Sequence, residues 1–315
     1  MSGAFFVLAF VILSAFRDVF FSGALRSAPF FAVALIAFSI CTVAFLVVAL
    51  VEKERTLRVV FADRRAFVLM NLFTAFAWLC YFQSLRFLEP AISNVLHSGV
   101  GPLTIMAMAA IGWRIVDAGA MTPFETACQA AMGLCLAGLV AVALLGLSAG
   151  EGGTAALIGC AFAIASGIGI TIATLYAKRL HDKGASAAAV VATRFLGVLL
   201  AAAVALSFGP EARAAAASPA TWLALAPAAF MLMAVPIYLN QIGVKRASPL
   251  TVRVLLALGP VFLIALQTMV GGLTLSAYSL GGIAAYCAIA VAAALMRAFS
   301  AGASTAPAPA SARSG

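Results

Sequence analysis

Residues 85–107, LRFLEPAISNVLHSGVGPLTIMA, and residues 244–267, VKRASPLTVRVLLALGPVFLIALQ, are two versions of one pattern. Arg86 matches Lys245, Pro90 matches Pro249, and Gly101-Pro102 matches Gly259-Pro260 after a one-residue slip. Each copy reads as a helix opened by proline, where the missing N–H costs nothing, with a second proline inside an apolar run. Weaker similarity sets Arg26 beside Arg179. The repeat divides the chain into halves, 1–148 and 154–298, followed by a Pro/Ala/Ser tail over 299–315 expected to be disordered.

Around these stretches the chain is 65% hydrophobic and only 9% charged, against roughly 25% charged in soluble domains. Lipid is the solvent that suits such a chain. Apolar runs broken by charge, glycine or proline mark ten candidate spans: 4–25, 30–51, 67–88, 91–113, 126–147, 154–177, 187–208, 222–243, 250–271 and 275–296. Each has about the 20 residues a helix needs to cross the hydrocarbon core. A membrane β-barrel would show short alternating segments instead. The fold expected is therefore an all-α membrane protein of ten transmembrane helices, arranged as two inverted five-helix repeats around a central cavity. An odd number of spans per repeat inverts the second copy, a transporter architecture.

The net charge of +9 does not point to nucleic acid, because the basic residues sit between apolar runs. Lys53, Arg55, Arg58, Arg64, Arg65, Arg114, Lys178, Arg179, Lys183, Lys245 and Arg246 in loops, with Arg297 and Arg313 at the C-terminus, fall on one side, and Arg26, Arg86 and Arg213 on the other. That bias places both termini in the cytoplasm; the membrane expected is a bacterial inner membrane. The six cysteines lie inside apolar runs, without a CxxC pair, and the histidines are only two. No metal site and no cofactor is expected.

Two five-helix repeats, each with a proline opening its fourth helix and Gly-Pro about eleven residues on, resemble the drug/metabolite transporter superfamily, EamA type. Arg194 in VVATRFLGVLLAA resembles the arginine early in that family's second-helix pattern. The first half departs from the pattern around Ile36, where no arginine stands, and tryptophan is missing from 13–16 and 166–168. The resemblance implies a ten-helix basket whose substrate cavity is lined by helices of both repeats.

Charges inside spans are the first candidates for chemistry, since each costs on the order of 3 kcal/mol on insertion scales. Arg17 could hold a substrate carboxylate or phosphate, with Asp18 exchanging a proton or pairing with an arginine; a structural salt bridge is the plain alternative. Adjacent residues point about 100° apart on a helix, which argues against one flat pair between them. Asn94, His97, Gly101, Thr104 and Met108 share one face of the fourth span. Arg253, Pro260 and Gln267 form a stripe on the ninth, where headgroup contact is the alternative for the arginine. Trp78, Tyr81 and Phe82 offer an aromatic wall, and Asn240 a polar partner on the eighth span. Arg194 reads as a structural anchor. Pro102 and Pro260 are hinge candidates.

The expected substrate-binding set is therefore Arg17, Asp18, Trp78, Tyr81, Asn94, His97, Arg253 and Asn240. The expected function is secondary active transport, by alternating access, of a small metabolite such as an amino acid or other organic anion or zwitterion. Its partners would be that small molecule, the lipid bilayer and a coupling proton or counter-substrate. A channel or scaffold is the alternative, and a membrane-embedded lipid-processing enzyme the weaker one, since clustered acids and histidines are lacking.

Overall fold

The structure is a computed structural model that describes residues 2–27, 30–52, 55–113, 115, 122–148, 152–208, 227, 230–270 and 276–303. Among them there is helix and no strand. The helices are α1 (Gly3–Ser27), α2 (Phe30–Glu52), α3 (Arg55–Ala62), α4 (Arg64–Phe87), α5 (Pro90–Ala110), α6 (Pro123–Leu144) and α7 (Gly153–Asp182). They continue as α8 (Ala187–Arg194), α9 (Leu196–Phe208), α10 (Val235–Arg246, entered through a π-turn at Phe230–Ala234), α11 (Pro249–Leu256), α12 (Gly259–Val270) and α13 (Ala277–Ala303).

Five stretches are long and apolar enough to cross a membrane: Ala34–Glu52, Arg64–Phe87, Pro123–Leu144, Gly153–Asp182 and Ala187–Phe208. Shorter apolar stretches cover Thr251–Leu266 and Ala277–Ala293. Large apolar side chains point outward from them, among them Leu72, Leu134 and Leu200. Such a surface needs hydrocarbon around it. The chain is a multi-pass membrane protein.

Two spans read as single helices are broken. The stretch 187–208 divides at Phe195 into α8 and α9, and the stretch 250–271 divides at Ala257–Leu258 into α11 and α12. The short helix α3 was not expected in the second loop; it buries Val60 against the core and exposes Phe61 and Arg58. Most of 209–229, the start of the eighth span, lies outside the described residues. At the other end α13 continues to Ala303, into the stretch read as a tail, and 304–315 lie outside the description.

The helix α4 lies along α7, and α10 lies along α1; α5 packs on α7, and α11 and α12 pack on α1. Further contacts join α2 to α8 and α9, α6 to α13, α4 to α9, α5 to α6, and α5 to α11 and α12. Small residues permit these approaches. A Cβ on Gly167 of α7 would stand 2.2 Å from Val100 Cγ1 and 2.3 Å from the His97 carbonyl oxygen of α5. A Cβ on Gly243 of α10 would stand 2.4 Å from Val7 Cγ2 of α1. Gly159 also lies close against Leu88 and Phe87, and Gly197 against the Asn71 carbonyl, each with less than 3.0 Å for a Cβ. Gly159, Gly167 and Gly197 thus permit close backbone contact.

At one end the α4–α7 pair is clamped by Asp63. Its carboxylate caps α4 through Ala66 N (3.1 Å) and accepts from Lys183 Nζ (2.7 Å) and Arg179 Nε (2.8 Å). Partial burial pushes this carboxyl up, but the donors outweigh it and hold it at about 2. That is below the value of about 3.9 in an unfolded chain. The stabilisation is therefore complete above the unfolded value and lost as pH falls through about 2.

Two outcomes follow. Gly167→Ala should lower the thermal stability of the purified protein by about 1–3 kcal/mol, the usual effect of overpacking, whereas Gly138→Ala, with nothing within 4 Å of the new Cβ, should leave it unchanged. Asp63→Asn should cost about 1 kcal/mol at neutral pH, since Lys183 and Arg179 are half exposed. In thermal melts its deficit should hold steady from pH 8 to 5 and close as the pH falls below about 4.

Candidate functional site

A cavity of about 870 Å³, counting its open mouth, lies among α1, α4, α5, α7, α8, α10 and α11. Its walls carry apolar and aromatic side chains, among them Phe10, Val11, Trp78, Phe195, Ile237 and Leu256, with polar and charged groups set between them. That is the composition of a small-molecule site. All eight residues of the expected substrate-binding set line it: Arg17, Asp18, Trp78, Tyr81, Asn94, His97, Asn240 and Arg253. Arg194, Ser14, Ser98 and Thr174 join them.

On α1, Arg17 and Asp18 do pair, against the expectation from their helical angle. Arg17 Nε and Nη2 each lie 2.8 Å from the same oxygen, Asp18 Oδ1. Asp18 Oδ2 accepts from Asn94 Nδ2 at 3.0 Å, so the carboxylate bridges α1 to α5. The Arg17 guanidinium also stands over the Trp78 ring at 5.6 Å. Trp78 in turn meets Phe38 edge-on at 5.1 Å, and Tyr81 lies 4.6 Å from the His97 ring.

His97 Nδ1 is 2.8 Å from Ser166 Oγ, and Ser166 Oγ donates to the Ala77 carbonyl at 2.6 Å. A hydroxyl has one proton to give, so Ser166 accepts from His97. Nδ1 then carries the imidazole proton. In the neutral ring Nε2 is left as an acceptor, without a partner among the described residues.

Arg194 closes α8 immediately before the Phe195 break. The break has an identifiable cause across the interface. In an unbroken helix Gly197 N–H would donate to the Thr193 carbonyl. Instead the Asn71 carboxamide on α4 sits between them: Gly197 N donates to Asn71 Oδ1 at 3.2 Å, and Asn71 Nδ2 donates to Thr193 O at 2.8 Å. A side chain inserted into the ladder in this way bends a helix. Phe195 stacks on Phe38 at 4.6 Å, and Arg194 lies over the Phe195 ring at 5.4 Å. The family resemblance singled out Arg194, but Asn71 carries no sequence signal of its role; its partner lies 122 residues away.

Arg253 stands on α11, four residues past Pro249, as Asn94 stands four past Pro90. Its Nη2 donates to the Ile170 carbonyl at 2.6 Å and to Thr174 Oγ1, both on α7. Where α5 crosses the α11–α12 break, contacts are reciprocal. A Cβ on Gly101 would meet Arg253 Cδ at 2.8 Å, and a Cβ on Gly259 would meet Asn94 Oδ1 at 3.6 Å. Gly101 thus makes room for Arg253, while Gly259 lies beside Asn94 at ordinary contact distance, each matched glycine facing the polar residue of the other copy of the repeat. The hinge candidates differ: Pro260 opens α12 at a break, while Pro102 sits inside the continuous α5. Neither proline lines the cavity, though Gly259 does.

The charges do not balance. Arg17, Arg194 and Arg253 are 9%, 3% and 2% exposed, and Asp18 is the sole carboxylate among the lining residues. Asp18 is held by Arg17. Arg194 and Arg253 form no ion pair among the described residues, and the Nε of each is buried without an acceptor. Asn240 Oδ1 is likewise buried and unpartnered. Neighbouring polar residues on α10 are used elsewhere: Gln241 faces His181 and Tyr238 stacks on Phe45; the Gln267 side chain lies outside the description. No group of three or more His, Cys, Asp or Glu capable of holding a metal occurs among the described residues.

One solved structure, described only as a "Crystal structure of protein", is similar to this chain with a TM-score of 0.67 and 21% identity, over 97% of this chain and 99% of that one. The likeness shows a shared fold. No family model matches the chain, and no curated protein matches it.

The geometry around Asn71 yields a test. Asn71→Ala removes both partners of the broken ladder at once and leaves buried backbone groups to re-pair or remain unsatisfied. We expect a loss of about 1–3 kcal/mol in thermal stability, read by melting of the purified protein. Asn71→Gln, whose longer arm carries the same groups, should lose less than the alanine variant.

Proposed function

We propose that the chain is a secondary transporter of a small organic anion, crossing a bacterial inner membrane ten times with both termini in the cytoplasm. Its two inverted repeats would be 1–148 and 154–298. Exchange of halves supports this arrangement. It turns the α4–α7 contact into α10–α1 and the α5–α7 contact into α11–α12 on α1, and it maps the α2, α6 and α5 pairings onto themselves. The reciprocal Gly101–Arg253 and Gly259–Asn94 contacts are what a pseudo-two-fold axis requires. A cavity lined by both halves then has the place of an alternating-access site. The EamA-type resemblance of the sequence agrees with this reading.

The single observation that carries the substrate class is the excess of guanidinium over carboxylate around a mostly apolar cavity. Burying an arginine in a membrane protein costs about 2.5–3.5 kcal/mol even on the mildest scales. Arg194 and Arg253 bear that cost without an acid to offset it, and a bound anion supplies the missing charge. A charge-assisted contact of this kind contributes about 1.5–3 kcal/mol. Tyr81, His97 Nε2 and Asn240 Oδ1 offer the orienting polar contacts.

Reconstituted into liposomes, the protein should exchange labelled organic anions across the bilayer, and should not exchange cations of matched size. Arg253→Gln should reduce anion exchange tenfold or more while the protein remains in the membrane. Exchange of cations in preference to anions would overturn the reading.

A further inference from the structure

The excess positive charge is more specific than a general liking for anions. Two guanidiniums in the cavity wall, Arg194 and Arg253, are almost wholly buried and have no carboxylate partner among the described residues. Each also retains a buried Nε donor without an acceptor. Arg17, by contrast, already directs two of its nitrogens at Asp18 Oδ1. The two unneutralised residues lie in the second half of the chain. In the first half, Asn94 occupies the place that matches Arg253, and Ile36 stands near the place that matches Arg194.

A monoanion in this cavity would neutralise one guanidinium and leave the other facing low dielectric. A ligand with two negative charges neutralises both. Guanidinium is suited to this, since its planar fork binds carboxylate and phosphate oxygens alike. We propose that the substrate is a small organic dianion, a phosphate monoester or a dicarboxylate, held jointly by Arg194 and Arg253. Arg17 then belongs to the structural bridge through Asp18 and Asn94, and the aromatic wall of Trp78, Tyr81 and Phe195 takes the substrate's carbon skeleton. This inference rests on the reading of the cavity as the transport site.

The test is binding to the full-length purified protein, by calorimetry, of charge-matched pairs on common carbon skeletons: monocarboxylates against dicarboxylates, and alcohols against their phosphate monoesters. The best dianion should bind at least about tenfold tighter than its monoanionic partner. For phosphate monoesters the affinity should rise as the pH passes the second phosphate ionisation near 6. Arg194→Gln and Arg253→Gln should each bring the dianion-to-monoanion ratio close to one, and Arg253→Lys should keep part of it. Equal binding of monoanions and dianions by the wild-type protein would overturn the dianion inference and leave the anion reading standing. Failure of every anion to bind, or preferential binding of cations, would overturn the anion reading itself. A ratio unchanged in both glutamine variants would show that other groups hold the second charge. If a glutamine variant does not fold, the wild-type ratio and the lysine variant still decide the question.

Discussion

In hydrocarbon no water can take up a stray backbone N–H or carbonyl, so every interruption of a helix must be satisfied by the chain itself. The Asn71 carboxamide meets that constraint between α8 and α9. It stands in for the missing Gly197–Thr193 bond with one donor and one acceptor of its own. Without such a group the break would leave two unpaired backbone dipoles, and an unbroken helix would be favoured. The break in turn sets Arg194 and Phe195 at the cavity wall. A single amide on α4 thus links the cost of an interrupted helix to the placement of a charge.

The second interruption has a different origin. Between α11 and α12 the chain carries Gly259-Pro260, and proline removes a ladder donor outright. The same dipeptide on α5, Gly101-Pro102, leaves the helix continuous. What the two sites share is the small residue rather than the bend. Gly101 lets the Arg253 stem cross α5, and Gly259 faces Asn94. Placing polar residues four positions past matched prolines brings them to a common crossing, each opposite the other's glycine. The crossing thereby carries one guanidinium and one amide into the same cavity.

These features were legible to different degrees. Hydropathy runs located the helices well, because a long apolar stretch in a chain with so few charges has one stable conformation in lipid. Asking which polar groups fall inside spans, a question that burial cost makes informative, singled out six residues that line the cavity, and the aromatic spacing on the third span added Trp78 and Tyr81. The Phe195 break was not legible, because its cause is Asn71, on another helix and far away in sequence. The Arg17–Asp18 pair was misjudged for a local reason: backbone angles fix where side chains start, and arginine's flexible stem decides where the guanidinium ends. The short helix α3 was missed because its apolar residues are too few to register as a span.

The balance of charge follows from these placements and moves the emphasis within the site. Read along the sequence, Arg17 is the most conspicuous intramembrane cation, since it interrupts the first apolar run. In three dimensions it is the one arginine of the three with an acid beside it, and that acid is fixed further by Asn94. Arg253 rests on a carbonyl and a hydroxyl, and Arg194 on an aromatic face. Neutral dipoles of this kind orient a guanidinium and ease its desolvation, but they leave its net charge in place. A cavity that meant only to hide its cations would pair them with carboxylates, as α1 does. Two cations held by neutral partners around an open space retain their field for something that enters it.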